Sequence, residues 1–349
     1  MASSPARKWP SREGFTADVL SNWIQRTLLD PVKLLPLLAL AQYTIKGREV
    51  IQSRPHLLKA LKSLATIAIL QRLSAWLDKR SINNAVTDHY NWNKEVIVLT
   101  GGSGGIGRRI AQLLGERSIK VAILDISPPS PTDPLPHTVR FYKCDITSPT
   151  AIAESASQIR ATLGRPTILI NNAGLLTGRT ILGTTPEQTR AMFEVNSLAH
   201  YWLAQEFLPD MVSDNHGMVV TVASQAGYAV APNMVDYSAT KAAAIAFHEG
   251  LAAELVTRYS APKVRTVLVT QSFTRTTLID RLTPEDSFVN PLLYPETVAE
   301  ALVKQVLKGE SGHVMVPGSS GYIAERLRGY PLWFQHSIRC RLERLMRAD

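Results

Sequence analysis

From residue 96 onward, short β-branched runs alternate with longer stretches of helical period. Val96–Thr100 (VIVLT) reads as a buried strand. An apolar-periodic helix follows over 110–116, then a second buried strand over 121–124 that ends at Asp125. Residues 127–136 (SPPSPTDPLP) hold five prolines where a crossover helix would normally stand, and proline cannot sustain one. The alternation resumes with strands over 139–143, 167–171, 218–223 and 264–269. Helices are expected between them over 149–163, 187–208 and 237–259. This order predicts an α/β fold, a doubly wound parallel sheet with helices on both faces. No internal repeat is visible.

Both ends depart from that rhythm. In residues 27–45 (TLLDPVKLLPLLALAQYTI), Asp30 reads as a helix N-cap and Pro31 as the first helical position. The uncharged part covers only 34–45 and is interrupted by Pro36, against the roughly 20 apolar residues of a spanning helix. A re-entrant or interfacial segment fits that length better. Residues 57–77 (LLKALKSLATIAILQRLSAWL) also have a helical period. Leu57, Leu61, Leu64, Leu70, Leu73 and Leu77 share a broad apolar surface, bracketed by Lys59, Lys62 and Arg72, with Trp76 near its end, which suits a membrane surface or an ordinary helix packed on the next domain. Over 332–346, Trp333, Phe334, Ile338, Leu342, Leu345 and Met346 recur at helical spacing beside Arg339, Arg341, Arg344 and Arg347. A basic amphipathic helix of this kind suits a membrane surface, and equally a helix folded back over the core. The expected organisation is an apolar, basic extension over 1–92, an α/β body over 93–318 and a basic amphipathic segment over 319–349.

Composition narrows the classes. The 349 residues are 45% hydrophobic and 19% charged, which allows a large core and excludes a disordered or collagen-like chain. Cys144 and Cys340 supply neither a disulfide framework nor a four-ligand zinc site. His200, His248 and His313 lack metal-site spacing, so no metal is expected and all three read as structural. The net charge of +9 first suggests a polyanion partner. However, residues 1–95 carry 14 Lys/Arg against 7 Asp/Glu and residues 311–349 carry 6 against 3, while 96–310 carry 18 against 19. The body is electrically balanced, so nucleic acid is not the expected partner. The excess marks two apolar, basic ends suited to an anionic bilayer. Residues 1–14 are polar and show no signal-peptide pattern.

Chemistry enters at residues 101–107 (GGSGGIG), between the first strand and the first helix of the body. Strand, glycine turn, helix, strand and acid are the context of a dinucleotide-binding Rossmann fingerprint. Glycines there allow a tight turn and close approach of backbone to a pyrophosphate at the positive helix end. Asp125 stands 18 residues after Gly107, near the spacing of about 20 expected of the acid that accepts the ribose hydroxyls. A carboxylate there repels a 2′-phosphate, so NAD(H) is favoured; Arg108 and Arg109 keep NADP(H) open. Further along, Tyr237 and Lys241 in Tyr-Ser-Ala-Thr-Lys are spaced i, i+4, on one face of a helix. A phenol titrates near 10, so a neighbouring ammonium and an oxidised nicotinamide are expected to stabilise its phenolate. Ser224, at a strand end, is placed to hydrogen-bond a substrate oxygen.

With these residues together, the chain strongly resembles the short-chain dehydrogenase/reductase family. Thr100-Gly101-x-x-x-Gly105-Ile106-Gly107 matches its cofactor motif, in which Ser103 also lies, and Asp145 in Cys-Asp-Ile-Thr matches the acid that reaches the adenine. Asn171-Asn172-Ala173-Gly174 matches the central-strand motif, and Asn196 in Phe-Glu-Val-Asn-Ser matches a fourth catalytic position beside Ser224, Tyr237 and Lys241. The resemblance implies that Tyr237 is the general acid/base and that Ser224 holds the reacting oxygen. It implies that Lys241 binds the nicotinamide ribose, that Asn196 holds a water of the proton relay, and that Thr276 contacts the carboxamide. Cofactor contacts would then come from Gly101, Ser103, Gly105, Ile106, Gly107, Asp125, Asp145, Asn172, Ala173, Gly174, Tyr237, Lys241 and Thr276.

The chain departs from the family where proline, often followed by glycine, usually succeeds the sixth strand: Thr270-Gln271-Ser272-Phe273 stands there instead. Within the family, an apolar N-terminal extension with a basic C-terminal segment resembles the membrane- and lipid-droplet-associated retinol dehydrogenases and 17-beta-hydroxysteroid dehydrogenase-like enzymes. That implies a small lipophilic alcohol, ketone or aldehyde as substrate. It also implies a seat on the endoplasmic reticulum or a lipid droplet with the catalytic domain facing the cytosol. Phe273, Leu278, Ile279, Leu282, Phe288 and Leu292 are candidates to line its pocket. A homodimer stays open. Two other readings stay beside this one: a soluble NADPH-dependent ketoreductase, and a non-catalytic lipid-surface scaffold that has kept the fold.

Overall fold

Asp30 starts the second helix of the chain as its sequence predicts. Its Oδ1 accepts from the Val32 N–H at 3.1 Å, with Pro31 in the first turn. In the computed structural model, which describes residues 11–280, 282, 284 and 286–345, the chain divides into two units, Met1–Ile82 and Asn83–Asp349. The first unit is helical: α1 (Ala17–Thr27), α2 (Pro31–Tyr43), α3 (Ile45–Ser53) and α4 (Pro55–Ile82). α4 takes up the whole periodic stretch over 57–77 as one helix. The unit's core is small, with Leu34, Ala65 and Ala68 buried and Leu29, Leu38, Leu61 and Leu64 packed around them. Much apolar surface is left outside it: Val32 is 67% exposed, and Leu37, Leu40, Leu70 and Trp76 are also exposed. Among the described residues, no helix is long and apolar enough to cross a membrane.

The second unit starts ten residues before the boundary expected at 92/93, because residues 83–92 are bonded into the sheet domain. The guanidinium of Arg265, itself 1% exposed, donates to the carbonyls of Asn83 and Val86 at 3.0 and 2.9 Å. The Ser311 N–H donates to Asn83 Oδ1 at 2.8 Å, and the Tyr90 hydroxyl to the Gly217 carbonyl at 2.6 Å.

The body then runs β1 (Val96–Thr100), α5 (Gly105–Gly115), β2 (Lys120–Asp125), β3 (Val139–Lys143), α6 (Pro149–Thr162), β4 (Ile168–Asn171) and α7 (Pro186–Phe193). A π-helical turn (Glu194–Leu198) leads into α8 (Ala199–Asp214), followed by β5 (Met218–Val222), α9 (Val235–Thr257), β6 (Arg265–Gln271), α10 (Pro295–Val306), β7 (Gly312–Val316), α11 (Gly318–Arg326) and α12 (Leu332–Arg341). All seven strands are parallel, in the order β3-β2-β1-β4-β5-β6-β7.

Alternation of side chains sends Val98, Leu124, Leu169 and Val219 to one face, where α6, α8 and α9 bury them. Leu99, Ile123, Ile170 and Val220 go to the other face, under α5 and α10. The order of connections reverses between β1 and β4, which opens a crevice at the carboxyl ends of those strands. As the prolines dictate, no helix joins β2 to β3. The strap instead packs Pro136 against Gly115, where a Cβ would sit 2.8 Å from the proline ring, and Arg108 pairs with Asp133 at 2.8 Å.

Two expectations are corrected. The helix expected over 187–208 is continuous in direction but interrupted by the π turn, which inserts an extra residue around Asn196. The segment over 319–349 is not a separate domain but belongs to the second unit. There Gln335, 8% exposed, donates to the Arg328 and Tyr330 carbonyls at 3.2 and 2.7 Å. The chain tightens after α12 into a turn at Leu342–Leu345. Met346 and Arg347, expected on the same amphipathic face, lie outside the described residues.

Near the start of β1, His216 bridges two carboxylates, Asp88 at 2.6 Å and Glu95 at 3.3 Å. Burial pulls the imidazole down, but the hydrogen bonds and charges of Asp88 and Glu95 outweigh it and its pKa is raised. A raised folded value means that charged His216 stabilises the fold fully below its ordinary value of about 6.5, and that this contribution is lost as pH rises through the folded value. We therefore expect His216→Gln to cost on the order of 1 kcal/mol at pH 6 and clearly less at pH 9, read from denaturant melts. An equal loss at both pH values would remove the ion pair from the stability of the fold.

Candidate active site

Glycine backbone builds one wall of the crevice. Gly101 has φ +64 and Gly105 φ +51, a left-handed region that side chains disfavour. A Cβ on Gly101 would lie 2.8 Å from Ala173 Cα, and one on Gly107 would lie 2.6 Å from Asn172 Nδ2 and against the Gly101 carbonyl. α5 opens on Gly104 with no side-chain cap, leaving first-turn N–H groups directed outward as an anion site. This cradle of backbone fits a dinucleotide pyrophosphate.

The acids and amides around it are held by short bonds. Asp125, ending β2, accepts from the Ser103 N–H at 3.1 Å and the Ser127 N–H at 3.2 Å, while Ser103 Oγ donates to the Ser127 carbonyl at 2.6 Å. Asp145 Oδ1 accepts from the N–H and the hydroxyl of Thr147 at 3.0 and 2.8 Å. Asn172 donates to the carbonyls of Thr100 and Gly101 at 3.0 and 3.2 Å, and Thr100 Oγ1 accepts from the Asn172 and Ala173 N–H groups. Asn172 and Ala173 thus clamp β4 to the glycine loop. From the far side, the Thr276 methyl would lie 3.2 Å from a Cβ on Gly105, so the segment after β6 closes against the same loop.

Four polar side chains converge beside this cradle. Lys241, 3% exposed, donates from Nζ to the carbonyl of Val222, the last residue of β5, at 3.0 Å. One helical turn earlier, Tyr237 is buried, with Lys241 Nζ 5.6 Å from its ring centroid. Asn196, fully buried on the π turn, accepts from the Leu175 N–H at 2.7 Å and donates to the Leu175 carbonyl and Thr240 Oγ1 at 2.9 and 3.0 Å. Gly174 leaves open the space between Asn196 Oδ1 and Lys241 Nζ, which lie 3.5 and 3.6 Å from where its Cβ would be. Ser224 Oγ donates to the Gln271 carbonyl at 3.3 Å.

Burial pushes Tyr237 up to about 12, and only its hydrogen bond with Ser224 pulls the other way. Burial likewise brings Lys241 down to about 8. The expectation that Lys241 lowers the phenol is therefore not met by the chain alone: desolvation dominates both groups. At neutral pH the pair stands as phenol and ammonium, an arrangement ready to donate a proton.

A cavity of about 240 Å³ opens onto Ser224 and Tyr237. Phe273, Leu278 and Ile279 line it as expected, together with Ile106 of the glycine loop. Leu282, Phe288 and Leu292 do not: Leu282 packs with Met192 and Met234, Phe288 is exposed, and Leu292 is half-buried away from the cavity. The wall not expected from the sequence comes from α11 and the residues C-terminal to it, through Ile323, Ala324, Leu327, Ile338 and Leu342. The C-terminal segment is thus folded over the core, while Leu332 and Trp333, 80% and 75% exposed, remain outside. The three histidines read as structural from the sequence are not all fully bonded: His200 Nδ1 and His248 Nδ1 are buried with no hydrogen-bond partner among the described residues. His200 sits edge-on to Phe247 and is pushed down by burial to about 3, and His313 Nε2 bonds Thr270 Oγ1 at 2.8 Å.

Comparison with known proteins agrees with this geometry. The family model for short chain dehydrogenase matches residues 95–287. The chain is 45% identical to Dehydrogenase RED2 of Cochliobolus heterostrophus over 59% of its own length and 78% of that protein's. It is 32% identical to Estradiol 17-beta-dehydrogenase 11 of Rattus norvegicus over 71% of its length and 84% of that protein's. Among solved structures, a short-chain dehydrogenase from Streptomyces avermitilis shares the fold, with a TM-score of 0.59 at 23% identity over 73% of this chain and 96% of that one.

Since any side chain at Gly107 must displace the loop, Gly107→Ala is expected to weaken dinucleotide binding at least tenfold, about 1.4 kcal/mol, in a fluorescence titration. Far-ultraviolet circular dichroism should stay unchanged. Parental affinity in that variant would show that the loop is not the cradle.

Proposed function

The chain belongs to the short-chain dehydrogenase family of NAD(P)-dependent oxidoreductases, and from that premise we propose that it interconverts a lipophilic alcohol and its ketone or aldehyde at a membrane surface. One observation carries the substrate class: aliphatic and aromatic side chains make up most of the wall of the cavity that opens onto Ser224 and Tyr237. The likeness to an estradiol dehydrogenase supports the same class.

The bound nicotinamide supplies or accepts the hydride. In the reductive direction, Ser224 donates a hydrogen bond to the carbonyl oxygen and Tyr237 gives it the proton as negative charge develops. Lys241, charged below about pH 8, holds positive charge beside the phenolate that Tyr237 becomes. Asn196, held in place by Leu175 and Thr240, is the residue proposed to hold a water of the proton relay. NAD(H) is the proposed cofactor. Asp125 stands at the ribose position, and both arginines that would favour a phosphate are engaged, Arg108 with Asp133 and Arg109 with Gln112 and Glu296.

The membrane seat rests on the first unit. Residues 1–82 carry 13 Lys/Arg against 5 Asp/Glu, and α2 is apolar around most of its circumference while burying chiefly Leu34. A seat there lets a water-insoluble alcohol reach the enzyme from lipid. We place the enzyme on the endoplasmic reticulum or a lipid droplet, with its catalytic unit in the cytosol.

Purified enzyme assayed with NAD(H) and NADP(H) against steroid, retinoid and fatty alcohols and their carbonyl partners tests the activity. We expect turnover of one of these classes, faster with NAD(H), and a fall in kcat of about 10²–10⁴ in Tyr237→Phe. Turnover of small polar ketones alone would overturn the substrate class. For the seat, full-length protein should co-float with vesicles containing anionic phospholipid, and Leu37→Asp combined with Leu40→Asp should lower the bound fraction several-fold, because interfacial binding scales with the apolar area buried. Equal flotation of the two proteins would remove α2 from the contact.

A further inference from the structure

Thr240 stands on α9 between Tyr237 and Lys241, and it is wholly buried. The positions around it, Ala239, Ala242, Ala243 and Ala244, carry the best helix former. A β-branched residue loses side-chain freedom in a helix and is a poorer choice there. Its hydroxyl, however, has two partners: Oγ1 donates to the Tyr237 carbonyl at 2.7 Å and accepts from Asn196 Nδ2 at 3.0 Å. Its backbone carbonyl accepts from Ser197 Oγ at 3.2 Å. Two consecutive residues of the π turn are thus tied to one residue of the helix that carries Tyr237 and Lys241.

The Asn196 amide has one orientation in this network. The Leu175 N–H donates to its Oδ1 at 2.7 Å, and its Nδ2 donates to the Leu175 carbonyl at 2.9 Å. A hydroxyl holds a single proton, and that of Thr240 is committed to Tyr237, so toward Asn196 its oxygen only accepts. Both neighbours therefore call for the same direction of the amide, but their roles differ. Leu175 follows β4, whereas Thr240 belongs to α9, so of the two only Thr240 relates the amide to the tyrosine and the lysine. Removing its oxygen leaves one N–H of a fully buried amide without a partner, an arrangement folded proteins avoid, and the amide must shift to find another.

We propose that Thr240 is a positioning residue for the proton relay: it holds the Asn196 amide in register with Tyr237 and Lys241, and it acts through that amide. This rests on the relay role given to Asn196 above and extends it to a residue that does not line the cavity. The oxygen is the requirement, not the bulk of the side chain. Serine keeps the oxygen, valine keeps the shape without it, and alanine lacks both while favouring the helix.

The test measures reduction of a long-chain 2-ketone by NADH in the full-length enzyme. Thr240→Val should lower kcat at least tenfold with KM and the Kd for NADH within twofold of wild type, while Thr240→Ser stays within threefold in kcat. Thr240→Ala gives the same reading if the valine variant does not fold. Adding Thr240→Val to Asn196→Ala should lower kcat less than twofold further, because the tie has lost what it holds. Wild-type kcat in the valine and alanine variants overturns the assignment, as does a serine variant as slow as valine, or losses that multiply in the double variant. A second readout needs no turnover. In the substrate-free enzyme, amide hydrogen exchange at Leu175 should quicken at least threefold in Thr240→Val and keep its wild-type rate in Thr240→Ser; equal rates in all three also overturn it. If the wild type reduces small polar ketones alone, the lipophilic-carbonyl reading falls, and the same ratios are then expected of Thr240 with those ketones.

Discussion

An ammonium group buried in the middle of the molecule is the constraint on which the rest depends. Burying an unpaired charge is costly, and Lys241 is 3% exposed. Its Nζ is fixed by the carbonyl at the end of β5, so α9 must lie across that strand end at one height and one rotation. Fixing Lys241 fixes Tyr237 one turn earlier on the same helix, and with it the phenol beside Ser224. Gly174 lies against the same helix, where a Cβ would stand 3.5 Å from Asn196 Oδ1 and 3.6 Å from Lys241 Nζ. The same demand also gives the π turn a purpose. One extra residue in the helix swings Asn196 into contact with Thr240 and Leu175, two places that a regular helix would not let it reach together.

Backbone geometry forces certain residue types, and those are the features that could be read from the sequence. Gly101, Gly105 and Gly107 are legible because two need a positive φ and two have no room for a Cβ. The strands are legible because both faces of the sheet are covered, which leaves near-continuous apolar runs. The proline strap between β2 and β3 is legible because proline excludes the alternative.

Other features leave no mark of that kind. Residues 194–198 (EVNSL) differ little from helix in propensity, so the π turn is a tertiary result, drawn out by hydrogen bonds to partners distant in sequence. An amphipathic period over 332–346 shows that one face is covered but not by what. Ile338 and Leu342 turn out to line the cavity beside Ser224 and Tyr237, while Leu332 and Trp333 stay outside. Residues 83–92 looked like the end of the extension because nothing in their composition announces that Arg265 will take their carbonyls. Thr240 stood out only as a spacer between Tyr237 and Lys241, and its bond to Asn196 needed the fold to become visible.

Burial acts on both titrating groups in the same sense, toward their neutral forms, yet by amounts that leave them in different states at neutral pH. Tyr237, pushed up to about 12, keeps its proton, and Lys241, brought down to about 8, keeps most of its charge. The resting chain therefore holds a protonated acid beside a cation, both of them buried. A carbonyl oxygen gains negative charge as it is reduced, and a protonated phenol bonded to Ser224 suits that direction. Oxidation must begin by removing that proton from a site that opposes phenolate. Within the chain the Ser224 hydrogen bond and the neighbouring Lys241 ammonium are what favour the anion. The asymmetry follows from the depth at which both groups are buried.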